Sequence, residues 1–165
     1  MKKLIDEFKQ VIDSAESRLK LIGESESGIK PSPNKWSSKE ILGHLVDSSI
    51  NNIPRFINGQ FQDNLVFNGY DQNKWVDAQN YQDEKWIIII DLWKLNNLRL
   101  IHVVESIPNN ILIRTFSRHN YDIIAWKEVQ RDKPVNLEYL IRDYFDHMKH
   151  HLNQIFKNNS IEEIK

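Results

Sequence analysis

The sequence predicts an all-α protein, a four-helix bundle with long connecting loops. Only five glycines and five prolines occur among 165 residues, which leaves few of the tight turns that a many-stranded β-sandwich needs. Apolar residues instead recur at steps of three and four along several long segments, the pattern of helices with one buried face. The length suits one domain. We therefore expect a single domain over residues 1–165, with its core at about residues 3–157 and a short C-terminal tail.

The first two helices are predicted by apolar stripes and by one start signal. Residues 3–22 carry an apolar side chain at every third or fourth position, with charges between them. Ser37 and Glu40 have the spacing of a capping box, so the second helix should begin there and run to about Asn58. Pro54 is expected to kink this helix, because its ring clashes with the carbonyl group one turn back.

The third and fourth helices follow from longer patterns. Residues 83–107 have a wide apolar arc that suits a helix buried on more than one side, and Pro108 ends it. The four isoleucines at 87–90 also suit a strand, but the length of the pattern favours a helix. Asn136 is the expected N-cap of the last helix, which extends through residues 137–155.

Three segments remain between the helices. Residues 23–35 carry glycine, serine and two prolines and are expected to form a loop. Residues 59–81 are long for a loop and contain several aromatic residues, which either cover an opening or pack beside the main core. Within residues 109–133 we expect an extended stretch at 111–116 and a short apolar segment at 121–126, and the role of these segments stays open.

Composition excludes several kinds of site and partner. The chain has no cysteine, which excludes disulfides, cysteine-bound zinc and a cysteine nucleophile. A net charge of −1 gives no reason to expect nucleic acid or an anionic membrane as a partner. The longest apolar run, at 86–90, is too short to cross a bilayer. No apolar segment of a signal peptide forms near Met1, so we expect a cytoplasmic protein.

Histidines on the last helix are the first candidate site. His147 and His151 are four residues apart, so they stack on one helical face, and both fall on or beside the apolar arc. His150 falls about 120° from Tyr144, the centre of that arc, toward the polar side. A single inward histidine is usually a hydrogen-bonded core residue. Two that face inward together cost polar desolvation twice, and such a pair suits one metal ion if another element supplies a third ligand.

His44 is a candidate on the second helix. It lies at the edge of the apolar stripe, in a row with Ser48, Asn51 and Arg55. This row is either a solvated flank of the helix or the wall of a polar pocket between helices, and the helical pattern by itself leaves both readings open.

Two stretches resemble the DinB/YfiT family of four-helix bundles. They are residues 36–47, WSSKEILGHLVD, and residues 137–155, which end in HMKHHLNQI. The resemblance covers residues 3–156. In that family the histidine of the second helix and the paired histidines of the fourth bind one divalent metal ion. By position these ligands are His44, His147 and His151, whereas His150 matches no ligand position.

The resemblance also implies a chemistry. Three neutral imidazoles suit zinc, nickel or iron(II), and three protein ligands leave coordination positions open, as in catalytic sites. The implied activities are metal-dependent hydrolysis of a small-molecule substrate and transfer of a small thiol such as bacillithiol to an electrophile. Such a thiol would arrive as a cosubstrate, because the chain has no cysteine. The implied assembly is a homodimer. The alternative is a non-enzymatic DinB-like metal-binding or stress-response module.

Four residues are candidates for the substrate pocket beside the metal: Ser48, Asn51, Arg55 and Tyr144. Asn51 and Arg55 either orient an anionic substrate or lie on the surface. Tyr144 either donates a hydrogen bond to a group at the metal or belongs to the core. Asp143 precedes His147 by one turn, and its angle on the helical wheel predicts that it points toward the polar side.

Overall fold

The computed structural model describes residues 1–164, and in that part of the chain four long helices form a bundle. The helices are α1 (Lys2–Leu19), α2 (Glu24–Ser27), α3 (Ser38–Asn58), α4 (Gln72–Gln79), α5 (Trp86–Glu105), α6 (Asn109–Leu112), α7 (Tyr121–Ile124) and α8 (Leu137–Asn158). The long helices α1, α3, α5 and α8 are the four that the apolar periodicity predicts. None of the described residues forms a strand, and none of these helices has the length and apolar composition needed to cross a membrane.

The bundle is closed by four helix pairs. Helix α3 packs against α5 and α8, and α1 packs against the same two helices from the other side. Large apolar side chains fill the space between them, including Trp93, Phe56, Phe145 and Phe156, all of which are fully buried. Helix α3 also carries α4 and the 3-10 turn Tyr81–Asp83 on its outer side. Because it has neighbours all round, residues 38–49 of α3 are buried without exception.

The start of α3 is set by the predicted capping box. The Ser37 hydroxyl accepts from the Glu40 amide at 3.2 Å, and the Glu40 carboxylate accepts from the Ser37 amide at 2.8 Å. These two bonds satisfy amide groups that have no partner in the first helical turn. The helix then continues through Pro54 to Asn58, as predicted.

Gly43 allows another segment to lie directly on α3. A Cβ atom at this position would stand only 2.2 Å from Cδ2 of the Tyr81 ring, so no larger residue fits without movement. The Tyr81 hydroxyl donates to Oδ1 of Asp47 at 2.7 Å, and the Gln79 amide donates to the same oxygen. The segment that leads into α5 is therefore held on α3 within one turn of His44.

The two long connections differ in part from expectation. Residues 59–81 contain α4, and Gly69 and Tyr70 line a cavity beside α3, so part of this segment does cover an opening. The extended stretch expected at 111–116 is wrong at its start, because Asn109–Leu112 forms the helical turn α6 after Pro108. Proline suits this place, since it has no amide proton to leave unsatisfied at a helix start. The apolar segment expected at 121–126 is present, with α7 at its start.

Candidate metal centre

Three histidines from two helices lie close together in the bundle. His44 comes from α3, and His147 and His151 come from α8. One ring nitrogen from each lies within 4.8 Å of those of the others. Their ring planes meet edge to face, at interplanar angles of 83°, 74° and 79°. We call this group the metal centre.

The spacing of the nitrogens suits a metal ion. Nε2 of His44 and Nε2 of His147 are 3.2 Å apart. Zinc–nitrogen bonds of about 2.0–2.1 Å in tetrahedral geometry place two ligand nitrogens roughly 3.3 Å apart. The same 3.2 Å also suits a hydrogen bond between one protonated and one bare nitrogen. The residues present therefore fit a divalent ion, and they have an internal partner when no ion is bound.

Burial keeps these imidazoles neutral. His44 is only 2% exposed. Burial, aided by the neighbouring histidines, lowers the pKa of His44 to about 3 and that of His147 to about 2. Burial also lowers the pKa of His151. Neutral imidazole is the form that binds a metal, so the centre is ready for an ion at neutral pH without losing protons.

The outer ring nitrogens differ in their partners. Nδ1 of His151 lies 3.0 Å from the Gln154 amide oxygen. That oxygen can only accept, so Nδ1 carries the proton and Nε2 is left free. Nδ1 of His44 is buried and has no partner among the described residues. His150 is exposed and lies outside the centre, as its angle on the helix predicts.

A cavity of about 320 Å³ opens beside the metal centre. His44 and His147 contribute to its wall, and so do three of the four predicted pocket residues: Ser48, Arg55 and Tyr144. Three members of the α3 row that starts at His44 therefore line a pocket and do not form a solvated flank.

Asn51, the fourth predicted pocket residue, is not part of this wall. Its side-chain amide donates to the Asp47 carbonyl group of its own helix at 2.9 Å. Asn52 lines the cavity instead. At 100° per residue, Ser48 and Asn52 lie about 40° and 80° to one side of His44, whereas Asn51 lies about 20° to the other. The cavity is on the Asn52 side.

Tyr144 has a structural partner. Its hydroxyl donates to Oδ1 of Asn97 at 2.7 Å, and burial raises its pKa. Asn97 is itself held by a hydrogen bond from its amide group to the Trp93 carbonyl group at 2.8 Å. The hydroxyl proton of Tyr144 is thus used in the hydrogen bond to Asn97 of α5. Of the two predicted roles for Tyr144, the core role therefore fits the structure better.

Asp143 was expected on the polar side, and this is wrong. It is 5% exposed, and its two oxygens accept from the backbone amides of Trp126 and Lys127, each at 2.8 Å. Burial raises its pKa, against the effect of these two bonds. The helical wheel missed this because the segment after α7 folds across that side of α8. The carboxylate fixes Trp126, whose ring centroid lies 6.0 Å from that of His147.

Tyr70 is a pocket residue that the sequence pattern did not single out. It reaches the cavity from the segment between α3 and α4, where Ser48 of α3 lines the same wall. Burial raises the pKa of its hydroxyl to about 12, so it stays protonated and can donate. The unusual aromatic content of this long segment was the available signal.

Comparisons with known proteins agree with this architecture. A family model described as the DinB superfamily matches residues 7–155. YfiT from Bacillus subtilis, described as a probable metal-dependent hydrolase with an unusual four-helix bundle topology, has a solved structure that matches with a TM-score of 0.74. The match covers 97% of this chain and 88% of the YfiT chain at 18% identity, a level at which it shows the fold. Comparison with curated proteins gave no match.

Proposed function

The chain belongs to the DinB superfamily, and on this premise we propose that it is a divalent-metal-dependent hydrolase whose ion is bound by His44, His147 and His151. One observation carries the proposal. One buried and two half-buried imidazoles from two helices converge within 4.8 Å beside a cavity that is open to a small molecule. The description of YfiT as a probable metal-dependent hydrolase supports the same reaction class.

The ion and the side chains around it would have different roles in the reaction. A divalent cation supplies positive charge that favours loss of a proton from water or a thiol near neutral pH. The histidines would hold it in their neutral form, and Gln154 orients His151 by accepting a hydrogen bond from its Nδ1–H group. Trp36 packs against His44, with ring centroids 5.2 Å apart, and Trp126 covers the His147 side. These rings limit the water around the centre.

Transfer of a small thiol is the second candidate. It is favoured by the state of Asp143, the one carboxylate among the residues that line the cavity in the described chain. Each of its oxygens accepts a hydrogen bond from a backbone amide, and these two bonds lower its basicity toward water. Assay of ester, amide and electrophilic substrates with and without a low-molecular-weight thiol separates the two: hydrolysis proceeds without the thiol, and transfer requires it.

Metal analysis with a matched pair of variants tests the centre. We expect about one zinc, nickel or iron(II) ion per chain. His147→Ala should weaken binding by more than about a hundredfold, since even residues that only orient a ligand cost 10–100-fold. His150→Ala, three residues away on the same helix but exposed, should leave binding unchanged.

Thermal stability gives the same test a second readout. An ion at 100 times its dissociation constant adds about 2.7 kcal/mol to the free energy of unfolding of the wild type. His147→Ala should lose this gain. The proposal would be refuted if the wild type bound no stoichiometric ion. It would also be refuted if His147→Ala and His150→Ala lost metal binding to the same extent.

We further propose that the protein forms a homodimer through α5. This helix exposes five large apolar side chains, each at least 37% exposed: Ile87, Ile88, Leu92, Leu95 and Leu98. Several exposed apolar side chains on one helix make it the candidate interface.

A further inference from the structure

Arg55 is a buried arginine whose hydrogen-bonding capacity is largely unused. It is 6% exposed and lines the cavity. One Nη2 donor reaches the Asn68 carbonyl group at 2.7 Å, and one Nη1 donor reaches Oδ1 of Asn52 at 3.4 Å. A guanidinium group has five N–H donors, so three are left without an acceptor among the described residues.

Arg55 also lacks a counter-ion. Among the described residues, no carboxylate oxygen lies within 4.0 Å of its guanidinium group, whereas Lys39, which is equally buried at 6%, pairs with Glu24 at 2.5 Å. Burial lowers the pKa of Arg55, yet an arginine keeps its charge in proteins. A buried charge without a partner is costly, and perturbed charged groups in clefts are candidates for functional sites.

The position of Arg55 relates this charge to the metal centre. It lies eleven residues after His44 on the same helix, which corresponds to about 16 Å along the axis. Its side chain leans back toward His44, as side chains on helices do, so the gap is shorter than the axial distance. Apolar parts of Ile124, Trp126 and Leu140 line the same cavity.

We propose that the substrate of this site carries a carboxylate that Arg55 binds, with an apolar body that extends toward the metal centre. This inference rests on the proposed function. A carboxylate matches the planar fork of a guanidinium group and balances its single charge. Within the described part of the chain, Asp143 is the one other charged side chain on the wall, and each of its oxygens accepts a hydrogen bond from a backbone amide. A phosphate dianion would therefore leave excess negative charge in the cavity.

Calorimetric titration of the purified full-length protein, with its metal content recorded, tests the proposal with three probes. Hexanoate supplies a carboxylate and an apolar body, hexanamide is its neutral counterpart, and inorganic phosphate supplies the other anion. We expect hexanoate to bind at least tenfold more tightly than hexanamide, because a hydrogen bond to a charged group gives about a 10- to 100-fold gain. Phosphate should bind more weakly than hexanoate.

Variants assign the effect to Arg55. Arg55→Gln should weaken hexanoate binding by about tenfold or more, leave hexanamide binding unchanged and retain the metal content of the wild type. Arg114→Gln is the matched control, since Arg114 also donates to a loop carbonyl group, that of Gln62 at 2.9 Å, but is exposed. A carboxylate bound at the metal would not depend on Arg55. Should Arg55→Gln fail to fold, Arg55→Lys keeps the charge without the fork and should still bind hexanoate several-fold more weakly.

The outcomes separate the two proposals. Equal binding of hexanoate and hexanamide, hexanoate binding that survives loss of the arginine, or phosphate binding tighter than hexanoate would each overturn the carboxylate assignment. If the wild type binds metal in these cases, the proposed function still stands. Arg55-dependent binding of hexanoate to a chain that binds no metal would support the anion site and refute the metalloenzyme.

Discussion

Replacing Gly43 with alanine is expected to destabilise the protein through Tyr81. The added Cβ would stand 2.2, 2.3 and 2.6 Å from three atoms of the Tyr81 ring. Ordinary contact begins at about 3.4 Å, so the ring must move by roughly 1 Å or more. Tyr81 is 5% exposed and its hydroxyl donates to buried Asp47, which leaves little room for this movement.

The expected magnitude is a balance of three terms. Overpacking a core costs about 1–3 kcal/mol. Loss of the hydrogen bond from Tyr81 to the Asp47 carboxylate costs about 1.5–3 kcal/mol. Alanine is favoured over glycine inside a helix by about 0.5–1 kcal/mol. The net effect is a loss of about 2–5 kcal/mol, and at this chain length each kcal/mol lowers Tm by roughly 2–4 °C.

Urea and thermal unfolding of Gly43→Ala measure this loss. Gly69→Ala is the control, because a Cβ there would meet nothing within 4 Å. In a Tyr81→Ala background the ring is gone, so Gly43→Ala should no longer cost stability. The reasoning is refuted if Gly43→Ala is as stable as the wild type, or if its cost persists without the Tyr81 ring.

Two further predictions concern protons and assembly. At pH 6, metal binding should release less than one proton from the three histidines, because burial lowers the pKa of each. Three ordinary imidazoles would release about two protons. Calorimetry in buffers of different ionisation enthalpy measures the number of protons released. For the same reason, the free energy of unfolding of the metal-free protein should fall as the pH falls from about 6.5 toward 3, since only the imidazoles of the unfolded chain take up protons in this range. His147→Ala should make this pH dependence weaker. Leu95→Glu should convert a dimer to a monomer in light scattering, whereas Leu21→Glu, exposed on another part of the surface, should not; a dimer that persists in Leu95→Glu argues against α5 as the interface.

The four long helices could be predicted from the sequence because their signals are local. A stripe of apolar residues at steps of three and four depends only on the helical repeat. The capping box of Ser37 and Glu40 lies within one turn and forms as predicted. The inward direction of His147 and the outward direction of His150 follow from the same geometry. His44 was assigned as the third ligand only through the resemblance to a family, because its distance from His147 depends on how α3 and α8 pack.

The pocket was harder to predict because its walls come from segments distant in sequence. Asp143 was placed on the polar side by its angle on the helix, but the backbone at Trp126 and Lys127 covers it. Asn51 and Asn52 differ by one position, and only the side on which the cavity opens decides between them. Tyr70 reaches the site from a segment whose fold no short pattern indicates.

The sequence by itself therefore determined the helices, their buried faces and the paired histidines, since these follow from contacts within a few residues. Only the tertiary structure decided that His44 lies beside the pair, that Asp143 holds a covering segment and that Arg55 faces a cavity with no counter-ion among the described residues. The physical reason is that burial and charge pairing are properties of the packed molecule. A side chain is enclosed, or left without a partner, by residues far from it along the chain.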